Sequence, residues 1–268
     1  MIKYSIVTMV FNNYDLLREP KVVDENAEYV CITDNKELRS DVWKIRYMPA
    51  LDTDKLSGIQ KTYIIKYAKF LNFISNESKY VIRVDASVQI NQPLTPIIEY
   101  LDINNHDALL LAHTHRDDFI EEYKIWVTAR KYDIKNYEKF LRYMSENQFN
   151  INHTGLIECT IQIFRISDTT VSLLKEMGDL LATQVQYNDQ DQCWFTYLFS
   201  KYDDKLKTCF SNISILASSY MDLCAHNNPN PYIKRDGELI VRDGKVIDKS
   251  KLHTAKILGK ERVLKIFE

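Results

Sequence analysis

Apolar and polar positions alternate along this chain in blocks that favour regular structure. Residues 4–11 (YSIVTMVF) are an almost continuous apolar, β-rich run, the pattern of a parallel strand buried on both faces, and polar Asn12-Asn13 follow it. Residues 28–33 (EYVCIT) repeat the pattern and end on Asp34-Asn35, and residues 42–47 (VWKIRY) give a third strand. From Asp52 to Phe73 the period changes: Ile59, Tyr63, Tyr67, Phe70 and Ile74 recur at helical spacing. Strands are expected at 79–85, 108–112 and 155–166, with a short one at 214–217. Helices are expected at 94–102, 169–186 and 190–201, with a helical region over 117–146.

This alternation implies an α/β fold, a Rossmann-like, mostly parallel sheet flanked by helices. Ligands of such sheets bind at the carboxyl ends of the strands, which here carry Asn13, Asp34, Asp85 and His113. The tail changes character. Asn227-Asn228-Pro229-Asn230-Pro231 reads as a loop, Asp243-Gly244 as a hairpin turn between 238–242 and 245–247, and 255–268 as a closing strand or helix. The expected division is a main domain over 1–225 and a C-terminal extension over 226–268 packed on it.

Composition narrows the function classes. The chain has 268 residues, 45% apolar and 27% charged, which excludes disordered and collagen-like classes. Six Gly and six Pro are few for a many-turned all-β protein. A net charge of −2 gives no positive field for nucleic acid or an anionic membrane. The five cysteines are widely spaced without C-x-x-C, as expected of reduced thiols in a cytoplasmic protein. No apolar run approaches the length of a transmembrane segment.

Four local patterns carry candidate chemistry. In Arg83-Val84-Asp85-Ala86-Ser87 an acid ends a buried strand, and a hydroxyl two residues on faces the same way. The pair suits one hard cation bridging diphosphate oxygens, or equally a turn or helix cap. Asn188-Asp189-Gln190-Asp191-Gln192 puts two acids and two amides ahead of an apolar helix, either as a cap or as groups presented to a reacting centre. His113-Thr114-His115-Arg116 contains H-x-H, but no further Cys or His nearby completes a zinc set, and a His-Arg pair also suits a phosphate or a sugar hydroxyl. His253 gains meaning only if the fold brings it to Asp85. Lys61 and Lys66 on the long helix either offset diphosphate charge or are solvated. P-loop, G-x-G-x-x-G and G-x-S-x-G patterns are absent.

In order, these segments resemble the GT-A fold glycosyltransferases, and most closely a bacterial, viral and plant group long known as a domain of unknown function, whose plant members act in pectin and mucilage formation. Phe11-Asn12-Asn13-Tyr14-Asp15 with Glu19-Pro20 resembles that group's F-G-x-Y-D…E-P, and Val30-Cys31-Ile32-Thr33-Asp34 its F-V-C-F-T-D. Trp43 and Asp54 match its W…D spacing, and Arg83-Val84-Asp85-Ala86-Ser87 its W-I-D-A-S. His113-Thr114-His115-Arg116 with Glu121-Glu122 resembles its H-P-x-R…Y-x-E. Gly155-Leu156-Ile157-Glu158 leading to Phe164-Arg165 resembles its strand ending in Arg, and Asp191-Gln192-x-x-Phe195 its late R-D-Q-x-S-F.

The resemblance implies a glycosyltransferase that takes a nucleotide-diphosphate sugar and acts on a glycan or lipid-linked acceptor in polysaccharide biosynthesis, with Mn²⁺ or Mg²⁺ as cofactor. Asp85, Ser87 and His253 would hold the metal, although D-A-S stands where many GT-A enzymes have D-x-D. Thr8, Asn13, Tyr14 and Asp34 would line the base and ribose pocket, and Lys61, Lys66 and Arg83 would serve the donor. Asp191-Gln192, or Asp189-Gln190 in the other register, would face the anomeric carbon, which leans towards a retaining reaction. His113, Arg116 and Glu122 would position donor or acceptor. Two rivals stand beside this reading: an inactive carbohydrate- or nucleotide-binding module, and a glycosyltransferase acting on a modified DNA base.

Overall fold

A computed structural model describes residues 3–11, 15–48, 63–114, 116, 119–120, 122, 134–151, 155–184, 191–224, 241–242 and 245–246. Seven strands form the main sheet: β1 (Tyr4–Val10), β2 (Ala27–Thr33), β3 (Lys44–Tyr47), β4 (Tyr80–Val84), β6 (Ala108–Ala112), β7 (Ile157–Arg165) and β8 (Thr208–Asn212). Their spatial order is β3-β2-β1-β4-β7-β6-β8. β1 pairs in parallel with β2 and β4, β2 with β3, and β6 with β8; β7 alone runs antiparallel, to both β4 and β6. The protein is thus an α/β fold on a mixed, mostly parallel sheet. β5 (Val88–Ile90) and β9 (Met221–Leu223) form a small antiparallel pair, and β10 (Val241–Arg242) pairs antiparallel with β11 (Lys245–Val246).

Strand alternation sends side chains to two separate cores. On one face Val7, Val30, Ile32, Val81 and Leu110 pack under residues 63–73, α2 (Ile134–Glu146), α3 (Asp168–Gln184) and α4 (Asp191–Ser200). On the other, Ile6, Cys31, Ile82, Leu109 and Leu111 pack under α1 (Thr95–Ile103) and α5 (Ile213–Ser219). α1 begins at a buried carboxylate: Asp24 accepts from the Thr95 backbone N–H at 3.1 Å and from the Tyr4 hydroxyl at 2.6 Å. α4 is apolar all round and is buried over Cys193–Phe199, with Trp194 edge-on to Phe140 at 5.0 Å and to Tyr143 at 5.3 Å. None of the five cysteines is in a disulfide, and all but Cys224 are buried.

Two expected elements differ. The strand expected at 214–217 is the helix α5; the strand is Thr208–Asn212, just before it, in register with β6. Ile213 and Leu216, three apart, both enter the core, which a helix permits and a strand would not. The described end of the helix expected over 52–73 is not α-helical. Ile64–Lys69 is a π-helical turn, and Phe70–Phe73 closes it as a 3₁₀ turn.

Candidate active site

β4 ends at Val84, and the chain turns at once: Val88 N–H returns to the Asp85 carbonyl at 2.9 Å. This leaves the Asp85 side chain at the carboxyl edge of the parallel strands, 36% exposed. Arg83, two residues earlier, points to the same face but is 1% exposed. Its guanidinium donates to Gln162 Oε1 at 2.5 and 3.1 Å and to the Cys159 carbonyl at 2.7 Å, and lies 5.0 Å from the centre of the Tyr67 ring. Nη1 sits 3.6 Å from Asp85 Oδ1. Arg83 therefore stands behind Asp85 and holds it in place.

The π turn brings up the opposite charge partners. Lys66 Nζ lies 2.6 Å from Asp191 Oδ2 and 3.4 Å from Asp85 Oδ1. The Tyr67 hydroxyl donates to the same Asp191 oxygen at 2.8 Å. Neighbouring residues of an α-helix point to different sides, so two successive side chains meeting on one atom is a product of the wider turn. Asp191 opens α4 and is 7% exposed. Burial pushes its carboxyl up, but the charges of Lys66 and Arg83 and the hydrogen bonds from Lys66 and Tyr67 outweigh that and hold it below the ordinary range. Lys66, Arg83, Asp85 and Asp191 form a quartet whose four charges cancel.

Several polar atoms here have no partner among the described residues. Asp85 Oδ2 and Ser87 Oγ make no hydrogen bond, and Gln192 Oε1 is buried without one; Thr8 Oγ1 is also buried without one, but within β1 on the side of Ile6 and Val10, the face opposite Asp85. Polar atoms without a partner at the carboxyl edge of a sheet are what a polar ligand would satisfy. Asp34 follows β2 at the same sheet edge, two strands from β4.

A second cluster follows β6. Arg116, its side chain 10% exposed, pairs with Glu122 at 2.5 Å, and its Nη2 lies 2.7 Å from His113 Nε2. His113 and Glu122 are both buried. Beside them stands Glu158 on β7, whose Oε1 accepts from the Thr160 hydroxyl at 3.1 Å. Burial pushes the Glu158 carboxyl up to about 7; Asp85 and Glu122 add to this, and the Thr160 hydrogen bond and Arg116 oppose it. Among the described residues no three His, Cys, Asp or Glu side chains converge as a metal cage. Asn13, Tyr14, Lys61, Asp189, Gln190 and His253 lie outside the described residues. Sequence reasoning assigned no role to Tyr67, Gln162 or Glu158; the one signal for Gln162 is a polar residue inside the apolar run Ile161–Phe164.

No protein-family model matches the chain, and no curated protein matches it in sequence. Among solved structures the chain is similar to mouse xyloside xylosyltransferase 1 in its apo form, at 12% identity and TM-score 0.41, over 81% of this chain and 90% of that one. It is similar to the mannosyltransferase Ktr4p of S. cerevisiae at 10% identity and TM-score 0.42, over 78% and 68% of the two chains. A third similarity is to 4-diphosphocytidyl-2C-methyl-D-erythritol synthase of Anaerococcus prevotii, at 11% identity and TM-score 0.37, over 78% and 86%. At these values the fold rests on the strand order and register above.

Proposed function

We propose that this chain is a GT-A-type glycosyltransferase that moves a sugar from a nucleotide-diphosphate donor to a hydroxyl of a glycan or lipid-linked acceptor. One observation carries the reading. The two motifs most characteristic of the resemblance, Asp85-Ala86-Ser87 and Asp191-Gln192, are more than a hundred residues apart, yet Lys66 contacts the acid of each, at 3.4 and 2.6 Å. The meeting point lies at the carboxyl edge of the sheet, where ligands of such folds bind.

The residues divide the work by their chemistry. Asp191, ionised and pinned by Lys66 and Tyr67, would face the positive charge that develops at the anomeric carbon as the glycosidic bond to phosphate breaks. Gln192 Oε1 would accept from a donor sugar hydroxyl. Lys66 would keep Asp85 and Asp191 in place beside the donor, and Asp34 would meet the nucleoside. Mn²⁺ or Mg²⁺ fits the residues present: such ions take one or two carboxylates together with substrate phosphates, and Asp85 Oδ2 and Ser87 Oγ are free to serve. The neutral quartet has no surplus charge to offset a diphosphate, which the ion would supply when bound.

The test is nucleoside diphosphate release from a panel of sugar nucleotides, with Mn²⁺, with Mg²⁺ and with EDTA. Metal-dependent release from one donor, lost in Asp85→Asn with the fold retained by circular dichroism, is expected. Nucleotide binding without turnover would move the chain to the inactive binding-module reading. The absence of both release and nucleotide binding would overturn the proposal.

A further inference from the structure

Glu158 has a setting that the donor chemistry leaves unused. β7 runs against its neighbours, so its first residues stand at the carboxyl edge with the ends of β4 and β6. The Asp85 N–H donates to the Thr160 carbonyl at 2.9 Å, and the His113 N–H to the Leu156 carbonyl at 2.8 Å. Glu158 thus sits in register between the donor quartet and the His113–Arg116–Glu122 cluster. The ladder is also irregular at this point. Leu109 pairs with Ile163, but Leu111 pairs with Glu158, where a regular antiparallel register would give Ile161. Three extra residues of β7 are taken up in a bulge, a device that re-aims a side chain next to a functional site.

The side chain itself is half-satisfied. Thr160 holds Oε1, and Oε2 has no hydrogen bond among the described residues although the residue is half-buried. Its nearest charges include Asp85 and Glu122, both acidic. Arg116, the cation beside it among the described residues, is engaged by Glu122 and His113.

Resting on the glycosyltransferase reading, we propose that Glu158 receives the acceptor: Oε2 accepts a hydrogen bond from a neutral acceptor hydroxyl, and the surrounding carboxylates exclude a phosphorylated or carboxylated group there. Glu158 is an acceptor-specificity residue separate from the donor site.

The test uses the full chain, Mn²⁺, and whichever of UDP, GDP, ADP or CDP it binds. Methyl hexosides and hexose 6-phosphates are then titrated into wild type, Glu158→Gln and Glu158→Ala by ligand-observed NMR. The expected result is binding of at least one methyl hexoside but not the phosphates by wild type, weakened about tenfold or more in both variants. Nucleoside diphosphate affinity should stay within about twofold, since a lost hydrogen bond to the acceptor does not reach the donor. Unchanged hexoside affinity in the variants, hexoside binding by none of the proteins, or a parallel loss of nucleotide affinity would each overturn the proposal. Wild type that binds none of the four nucleotides fails differently: it removes the glycosyltransferase reading beneath.

Discussion

Gly178 governs the approach of the π turn, and replacing it tests the site from outside. A Cβ at Gly178 on α3 would lie on the Ala68 Cβ, 3.0 Å from the Ala68 nitrogen and 3.2 Å from its Cα. Carbon atoms pack at about 3.5–4.0 Å, so the turn must retreat by about 1 Å. Ala68 directly follows Tyr67, and the Lys66 and Tyr67 contacts to Asp191, at 2.6 and 2.8 Å, would lengthen beyond the hydrogen-bond range of about 2.7–3.2 Å. Overpacking costs about 1–3 kcal/mol, and the better helix propensity of Ala returns about 1 kcal/mol. Gly178→Ala should therefore lower stability by up to about 2 kcal/mol, a loss of several degrees in Tm, while nucleoside diphosphate release falls by about tenfold or more. Adding Ala68→Gly should restore much of both, because it removes the atom in the way. Thermal unfolding and the release assay on the three proteins decide it. A Gly178→Ala protein about 1 kcal/mol more stable than wild type, with unchanged release, would refute the packing argument.

Three other perturbations have definite outcomes. Among the described residues Lys66→Ala leaves the buried Asp191 with Tyr67 and the more distant Arg83, so urea unfolding should show a loss of about 3–5 kcal/mol, much of it recovered by adding Asp191→Asn; a loss under about 1 kcal/mol would contradict the pairing. Asp24→Ala removes the acceptor shared by Tyr4, Thr95 and the Asn26 N–H, and should cost about 2–4 kcal/mol in the same assay at neutral pH, with wild-type-like stability counting against it. Glu158, raised from 4.5 to about 7, binds its proton more tightly folded than unfolded. Its contribution is full below about pH 4.5 and is lost as pH rises to about 7, so Glu158→Gln should flatten the stability profile in that window. Asp24 and Asp191, both held low, act in the opposite sense, with stability lost as pH falls through and below their ordinary 3.8. An identical slope between pH 4.5 and 7 in wild type and Glu158→Gln would exclude the assignment.

The doubly buried strands were legible because burial on both faces writes itself as continuous apolar runs: β1, β2, β4 and β6 all stand where their runs predict. β8 was not, since Thr208-Cys209-Phe210-Ser211-Asn212 mixes polar and apolar positions and becomes a strand only by pairing with β6. The direction of β7 has no residue signature, because an antiparallel strand buried on both faces reads like a parallel one. Asp85, Lys66 and Asp191 were each visible as candidates from their local settings. Their convergence was not, because it depends on the π turn and on α3 and α4 docking over the sheet, a tertiary outcome. Arg83 reads from sequence as a donor ligand; with its guanidinium enclosed by Gln162, Cys159 and Tyr67, it acts from behind Asp85.

The strand order divides the sheet by chain half. β1 to β4 come from residues 4–84 and lie side by side; β6 to β8 come from residues 108–212 and form the other flank; β4 and β7 meet in a five-pair antiparallel seam. Lys66, Arg83 and Asp85 belong to one half, Gln162 and Asp191 to the other, and both the guanidinium–amide and the Lys66–Asp191 contacts cross the seam. Divided at the turn between α1 and β6, the first half would present a quartet short of one anion and the second a lone buried acid. The two fragments therefore carry complementary unsatisfied charge at the surface where they must join, and that charge favours their pairing with each other over any other contact.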